Sequence, residues 1–211
     1  MGINLGNQSP GDMPMKLRLP GPEVSGISQI EELIAKRRSV RNYKDKKLSE
    51  SVISRLLWAA QGVSSETGLR TSPSAGALYP LEVHLVIGES GELEPGVYRY
   101  VPEDHTLVQE ISGDIREKLS KAALSQPMIK NAPASIVISA VYARITSRYG
   151  NRGIRYTHME AGHAAQNVYL LGMELGIGTC AVGAFKDEEV RSVLKLPANQ
   201  EPLYILPLGY I

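Results

Sequence analysis

Residues 156–185 read YTHMEAGHAAQNVYLLGMELGIGTCAVGAF. Tyr156 to Leu175 predicts the longest helix of the chain, ended by Gly176. Gly176-Ile177-Gly178 then leads into a short apolar run, Thr179 to Ala184. A Gly-x-Gly dinucleotide fingerprint follows a strand and opens a helix, so that the pyrophosphate meets the helix N-terminus. Here the helix comes first and the strand follows, which rejects a Rossmann reading. The turn at Gly183 and Ala184 can still present backbone N–H groups to a ligand. His158, Glu160 and His163 suggest a metal site, but the two histidines are five residues apart, about 140° around a helix. No metal is expected. His163 and Asn167, four apart, are expected to be satisfied polar groups in packing. Cys180, the one cysteine, excludes an intrachain disulfide and a multi-thiolate zinc site, and reads as a small buried hydrophobe.

Outward from this segment, helices and strands mix without strict βαβ alternation, which favours an α+β fold. Ser28 and Glu31 have capping-box spacing, with Ile27, Ile30, Leu33 and Ile34 on one helical stripe. Ser49 caps a second helix, with Val52, Ile53, Leu56, Leu57 and Ala60 inward and Gly62 as its stop. A small-residue loop spans Ser64 to Pro80, and Leu81 to Gly88 is a strand. Gly96 to Val101 and Thr106 to Ile111 predict a hairpin. Gly113 to Leu124 is expected to be helical and Pro127 to Pro133 irregular. Ser135 to Ala143, almost wholly apolar, predicts a central strand. A capped helix is expected over Asp187 to Leu194. The last strand is expected over Pro202 to Ile211, with Pro207 marking an edge or bulge.

The chain has 211 residues, so one domain, or one with a tail, is the expectation. Residues 1–26 hold four prolines and five glycines without apolar periodicity, and read as an arm that is flexible or wraps a partner. Residues 27–211 form the expected domain. A net charge of +1 argues against a dedicated nucleic-acid binder, and 6% aromatic content against a base-stacking surface. No apolar run approaches the ~20 residues of a membrane span, and no signal peptide is evident, so a cytoplasmic location is expected.

The charge balance conceals a local cluster. Seven basic residues and one acid, Asp45, fall between Lys36 and Lys47. Within it Arg37, Arg38, Ser39 and Arg41 offer planar forks and a hydroxyl suited to phosphate oxygens. A solvated basic face, or cations complementing the end of the preceding helix, would look the same. The loop SPSAGALYP, residues 72–80, has small residues that let the main chain approach a flat ligand, although an ordinary connection has the same composition. Arg152 and Arg155 could line an anionic site or simply face solvent. No Gly-x-Ser-x-Gly elbow, Walker loop or paired carboxylates appear.

Taken in order, RRSVR, PSAGALYPLEV, EAGHAAQNVYLLGMELGIG, TCAVGAF and the terminal PLGYI resemble the nitroreductase family of flavoproteins. PSAGALYP, RYGNRGIRY and EAGHAAQN bring the chain nearest the branch containing the SagB-type peptide dehydrogenases. The resemblance covers residues 28–211. It implies an α+β fold with a central, mostly antiparallel sheet flanked by helices, and a homodimer with two FMN sites at the subunit interface. It assigns Arg37, Ser39 and Arg41, with Arg38 adjacent, to the FMN phosphate, ribityl chain and pyrimidine edge. Pro73, Ser74 and Ala75 map to a loop given by the other subunit, and Gly183 and Ala184 to the turn facing flavin N5. Three departures stand out. Ala77 replaces an asparagine that many relatives carry. No Lys or Arg follows Lys195, so the contact of a C-terminal basic pair is expected to be absent, or to be replaced by Arg152 or Arg155. The Lys-Tyr dipeptide of azoline dehydrogenases is missing.

The activity implied is NAD(P)H-driven, ping-pong reduction of small acceptors such as nitroaromatics or quinones. Tyr79 and Tyr156 are the candidates for contacting substrate or relaying a proton. Two alternatives stand: oxidation of a peptide or small molecule with oxygen as acceptor, or flavin binding without turnover.

Overall fold

The computed structural model describes residues 28–88 and 93–211. The expected arm, residues 1–26, lies outside them. Two helices open the described chain, α1 (Gln29–Lys36) and α2 (Glu50–Gln61). Both begin as their caps dictate: Ser28 and Glu31 form a capping box, and Ser49 Oγ accepts from the Val52 N–H. After a single 3-10 turn at Ala75–Ala77 come β1 (Leu81–Ile87), β2 (Gly96–Val101) and β3 (Thr106–Ser112). Then follow α3 (Arg116–Ala122), α4 (Pro127–Asn131), β4 (Ala134–Ala140), α5 (Ala143–Tyr149) and α6 (Arg152–Glu174). The chain closes with β5 (Ile177–Thr179), α7 (Asp187–Leu194) and β6 (Glu201–Tyr210).

The six strands form one antiparallel sheet in the order β3-β2-β1-β4-β6-β5. β4 lies inside it, and all seven of its residues are buried. Alternation divides the core between the two faces. Leu85, Ile136 and Ile138 point toward α2 and α6, whereas Val86 and Val137 pack with residues of α3, α4 and α7. Among the described residues, no helix is long and apolar enough to cross a membrane.

Four local expectations need correction. β4 ends at Ala140, opposite the first residue of β1, Leu81: Val141 N–H still donates to Pro80 O, but Pro80 has no N–H to carry the ladder on. The chain turns there into α5. α6 starts four residues early, at Arg152. Residues 127–131 are helical, since Pro127 at the first turn presets the backbone and Met128 and Ile129 are buried. Finally, β6 is an inner strand. Ile205 exchanges both backbone hydrogen bonds with Val182, so the nitrogen of Pro207 points to the same side, into the gap between Val182 and the end of β5. A missing N–H costs nothing there.

Candidate functional site

The basic segment leaves α1 at Arg37 and lies flat across the end of the sheet. Val40 N–H donates to Thr179 O at 2.8 Å and Lys44 N–H to Tyr210 O at 2.9 Å. Glycines permit this approach: a Cβ on Gly178 would lie 2.7 Å from Val40 Cβ, and one on Gly209 2.6 Å from Tyr43 Cβ. Tyr169 of α6 fastens the segment. Its hydroxyl accepts from the Ala181 N–H at 2.7 Å and shares a 3.1 Å hydrogen bond with Ser39 Oγ. The Arg37 guanidinium stands 5.1 Å from the Tyr169 ring centroid. Arg38 instead donates to the carbonyls of Ala35 and Arg37, completing the helix end. Arg41 is exposed.

Beyond Ala181 the chain reaches Gly183 and Ala184, both exposed. The Val182–Ile205 bridge pins one side, and Gln126 Nε2 donates to Ala184 O at 2.9 Å on the other. Among the described residues, no hydrogen bond takes up the N–H of Gly183 or Ala184. Cys180 is buried, as expected of a small hydrophobe.

The Pro-Ser loop lies along a different face of α6. Asn167 Nδ2 reaches Ala59 O, Thr71 O and Ser72 Oγ at 3.1–3.3 Å, and Ser72 Oγ donates to Ala60 O. Pro73 follows, exposed. Ser74 Oγ accepts from the Tyr79 N–H at 3.0 Å, and Ala75 begins the 3-10 turn. Gly76, Ala77 and Tyr79 all take positive φ, 63°, 52° and 44°. Arg70 N–H donates to the Tyr79 hydroxyl at 3.1 Å, and the Arg70 guanidinium lies 4.6 Å from the Tyr79 ring centroid. Tyr79 therefore lines a polar cleft of about 390 Å³ with its phenol already engaged. Tyr156 packs edge-on against Tyr149 at 5.3 Å, with the Arg152 guanidinium 5.7 Å from its ring centroid.

Beneath the loop is a buried carboxyl. Glu160 is 2% exposed, and its Oε1 accepts from Gln61 Nε2 at 3.2 Å. Burial pushes its pKa up to about 7, although Ser74, Gln61 and Arg70 each favour the charged form. His158 instead meets the Tyr142 hydroxyl at 2.6 Å on the outside of the helix. His163 is exposed and unpaired among the described residues, so its expected role in packing is corrected: only Asn167 takes it.

The helix period explains how these groups are distributed. Glu160 and Asn167 are seven residues apart and share a face, whereas Tyr169 is nine from Glu160 and points about 180° away. One chain thus holds its Pro-Ser loop and its basic segment on opposite sides of α6. Between them runs an exposed stripe with Arg155, Met159, Gly162, His163 and Gln166.

Charge compensation separates the arginines. Arg70, Arg99, Arg116, Arg144 and Arg191 each pair with a carboxylate. Among the described residues, Arg37, Arg38 and Arg41 do not, nor do Arg148, which lies beside Gly76 of the loop, Arg152 and Arg155. The basic segment and the α5–α6 region therefore each present uncompensated positive charge, the field an anionic ligand would meet.

Sequence reasoning missed Tyr169, Gln61 and Arg70, and weighed Glu160 only as a metal ligand. The available signal was a carboxylate on the buried stripe of a long helix, a costly placement. Tyr169→Phe should orphan the Ala181 N–H and lower stability by about 1–2 kcal/mol, read by urea unfolding. An unchanged midpoint would mean that the hydroxyl does not fasten the segment.

Comparisons with known proteins show the family and the fold. The profile described as "Nitroreductase family" matches residues 34–210. A provisionally named nitroreductase of Methanocaldococcus jannaschii is 45% identical over 195 residues, covering 92% of this chain and 96% of that protein. The microcin B17-processing protein McbC of Escherichia coli is 27% identical over 172 residues, covering 74% of this chain and 60% of its own length. The crystal structure of a provisionally named nitroreductase from Ralstonia eutropha superposes with a TM-score of 0.76 at 25% identity, covering 91% of this chain and 87% of that one.

Proposed function

The chain belongs to the nitroreductase family, an oxidoreductase family, and from that membership we propose an FMN-dependent homodimer that passes electrons from NAD(P)H to small acceptors such as nitroaromatics or quinones. The observation that carries the reading is the fastening by Tyr169: one hydroxyl ties the uncompensated Arg37–Arg41 segment to the strand leading to two free amides. That is a fork for a phosphate and a donor pair for a ring, on one rigid support. When bound, FMN supplies the hydride chemistry.

The chain's own residues bind and orient. Arg37 and Ser39 hold the anionic end, and Arg41 favours negative charge on the ring's pyrimidine edge. Gly183 and Ala184 offer N–H groups to the electron-rich centre of the ring. Pro73, Ser74 and Ala75, with Ala77 beside them, approach the ring from the second subunit, which is why they stand across α6 from the basic segment of their own chain. The same subunit brings Arg148, Arg152 and Arg155, which replace the C-terminal basic pair of other relatives. Tyr79 and Tyr156 border the acceptor.

The dimer reading is supported by apolar surface that one chain leaves open. α1 has no buried residue, with Ile30 and Ile34 each 55% exposed, and Trp58 is 43% exposed across the groove from α1. Dilution below the dimer constant should release flavin and lower the melting temperature together, as a concentration series would show.

The deciding experiment is an anaerobic titration of purified protein. A yellow protein whose flavin bleaches rapidly with NAD(P)H is expected. A colourless protein that takes up no added FMN would end this reading, and flavin that NAD(P)H leaves oxidised would favour substrate oxidation with oxygen as acceptor. McbC, a microcin B17-processing relative, makes the second outcome worth testing.

A further inference from the structure

We propose that Glu160 is the positioning residue of the Pro-Ser loop: its buried carboxyl, acting through the Ser74 hydroxyl, holds the left-handed turn that carries Tyr79. Any consequence for flavin rests on the function proposed above; the positioning itself does not.

The geometry is a run of hydrogen bonds with one link left open, between Glu160 and Ser74. Glu160 Oε1 accepts from Gln61 Nε2 at 3.2 Å, and Gln61 Oε1 accepts from Arg70 Nη1 at 3.3 Å. The Arg70 backbone N–H donates to the Tyr79 hydroxyl, and the Tyr79 backbone N–H donates to Ser74 Oγ at 3.0 Å. Ser74, whose oxygen is accepting, has its own proton to give, and the Glu160 carboxyl lies beside it. Glu160 Oε2 is buried and, among the described residues, has no hydrogen-bond partner of its own, so it is the acceptor left for the Ser74 proton, and a shift of the Ser74 side chain would close the circuit.

The turn needs such support. A tyrosine at φ 44° and an alanine at φ 52° cost free energy that surrounding contacts must overcome. A carboxylate suits the task because both of its oxygens can accept: Oε1 does so from Gln61, and Oε2 is free for Ser74. A glutamine of the same shape has one acceptor. Its amide nitrogen would donate to Ser74 Oγ, in competition with the Tyr79 N–H.

Site-resolved amide hydrogen exchange of the flavin-free chain at pH 8 tests this, with wild type, Glu160→Gln, Ser74→Ala and the double variant. Glu160→Gln should speed exchange at the Tyr79 amide about tenfold or more. Ser74→Ala should do the same, and the double variant should add little to either. Burial penalises the charged carboxyl, so the glutamine protein should be globally more stable at this pH. Faster exchange at Tyr79 would then report local opening of the turn. Unchanged exchange in Glu160→Gln, or effects of the two substitutions that simply multiply, would overturn the proposal. FMN affinity, read separately by flavin fluorescence, tells the two readings apart. Faster exchange with unaltered affinity keeps the positioning role and removes the loop from the flavin site.

Discussion

Glu160→Gln should abolish a pH dependence of stability amounting to about 3 kcal/mol. Desolvation raises the Glu160 carboxyl from its ordinary 4.5 to about 7 in the folded chain. Between those values the folded state holds a proton that the unfolded state has released. Stability from this group is therefore complete below the unfolded value and is lost as pH rises through about 7. Other carboxyls act oppositely: Glu110, held low chiefly by the His84 ring nitrogen 3.3 Å away, contributes stability that is lost as pH falls. Both proteins share that acid limb, so the difference between them isolates Glu160. Urea unfolding at pH 5 and pH 8 should show the glutamine variant gaining on wild type at the higher pH. Parallel curves would mean that the carboxyl titrates alike in both states.

Arg37→Ala should weaken FMN binding by about 1.5–3 kcal/mol, or roughly 10- to 150-fold. Arg37 is half-buried at the end of α1, placed over the Tyr169 ring and free of carboxylate partners among the described residues. An anion arriving there gains a charge-assisted contact without breaking an ion pair. Arg38 gives a built-in control. Its guanidinium already donates to two carbonyls at the helix end, so Arg38→Ala should cost less flavin affinity. Fluorescence titration with free FMN measures both. Equal losses, or none at Arg37, would move the phosphate elsewhere.

The elements that sequence reading placed well are those whose signals are local. Ser49 caps α2, the hairpin turns at residues 102–105, and β4 is buried along its length, each as composition and period indicate. The cluster at Arg37, Ser39 and Arg41 was visible as charge density. The small-residue loop and the Gly183–Ala184 turn were visible as backbone permissiveness. The failures were relational. Nothing near Pro207 in the chain reveals that β5 is too short to need its N–H. Nothing near Tyr169 reveals that Ser39 and Ala181 meet on its hydroxyl.

By itself, then, the sequence determined the order of elements, the α+β class and the residue types able to hold a phosphate and a flat ring. Caps, periodicity and small-residue runs act over a few residues and need no distant partner. Only the tertiary structure decided which of those residues share a support. The turn of α6 between residues 160 and 169 sends the Pro-Ser loop to one side and the basic segment to the other. It also places the carboxyl of Glu160 beneath the strained turn at Tyr79. Contacts between residues a hundred positions apart depend on packing around one helix, and no local pattern encodes them.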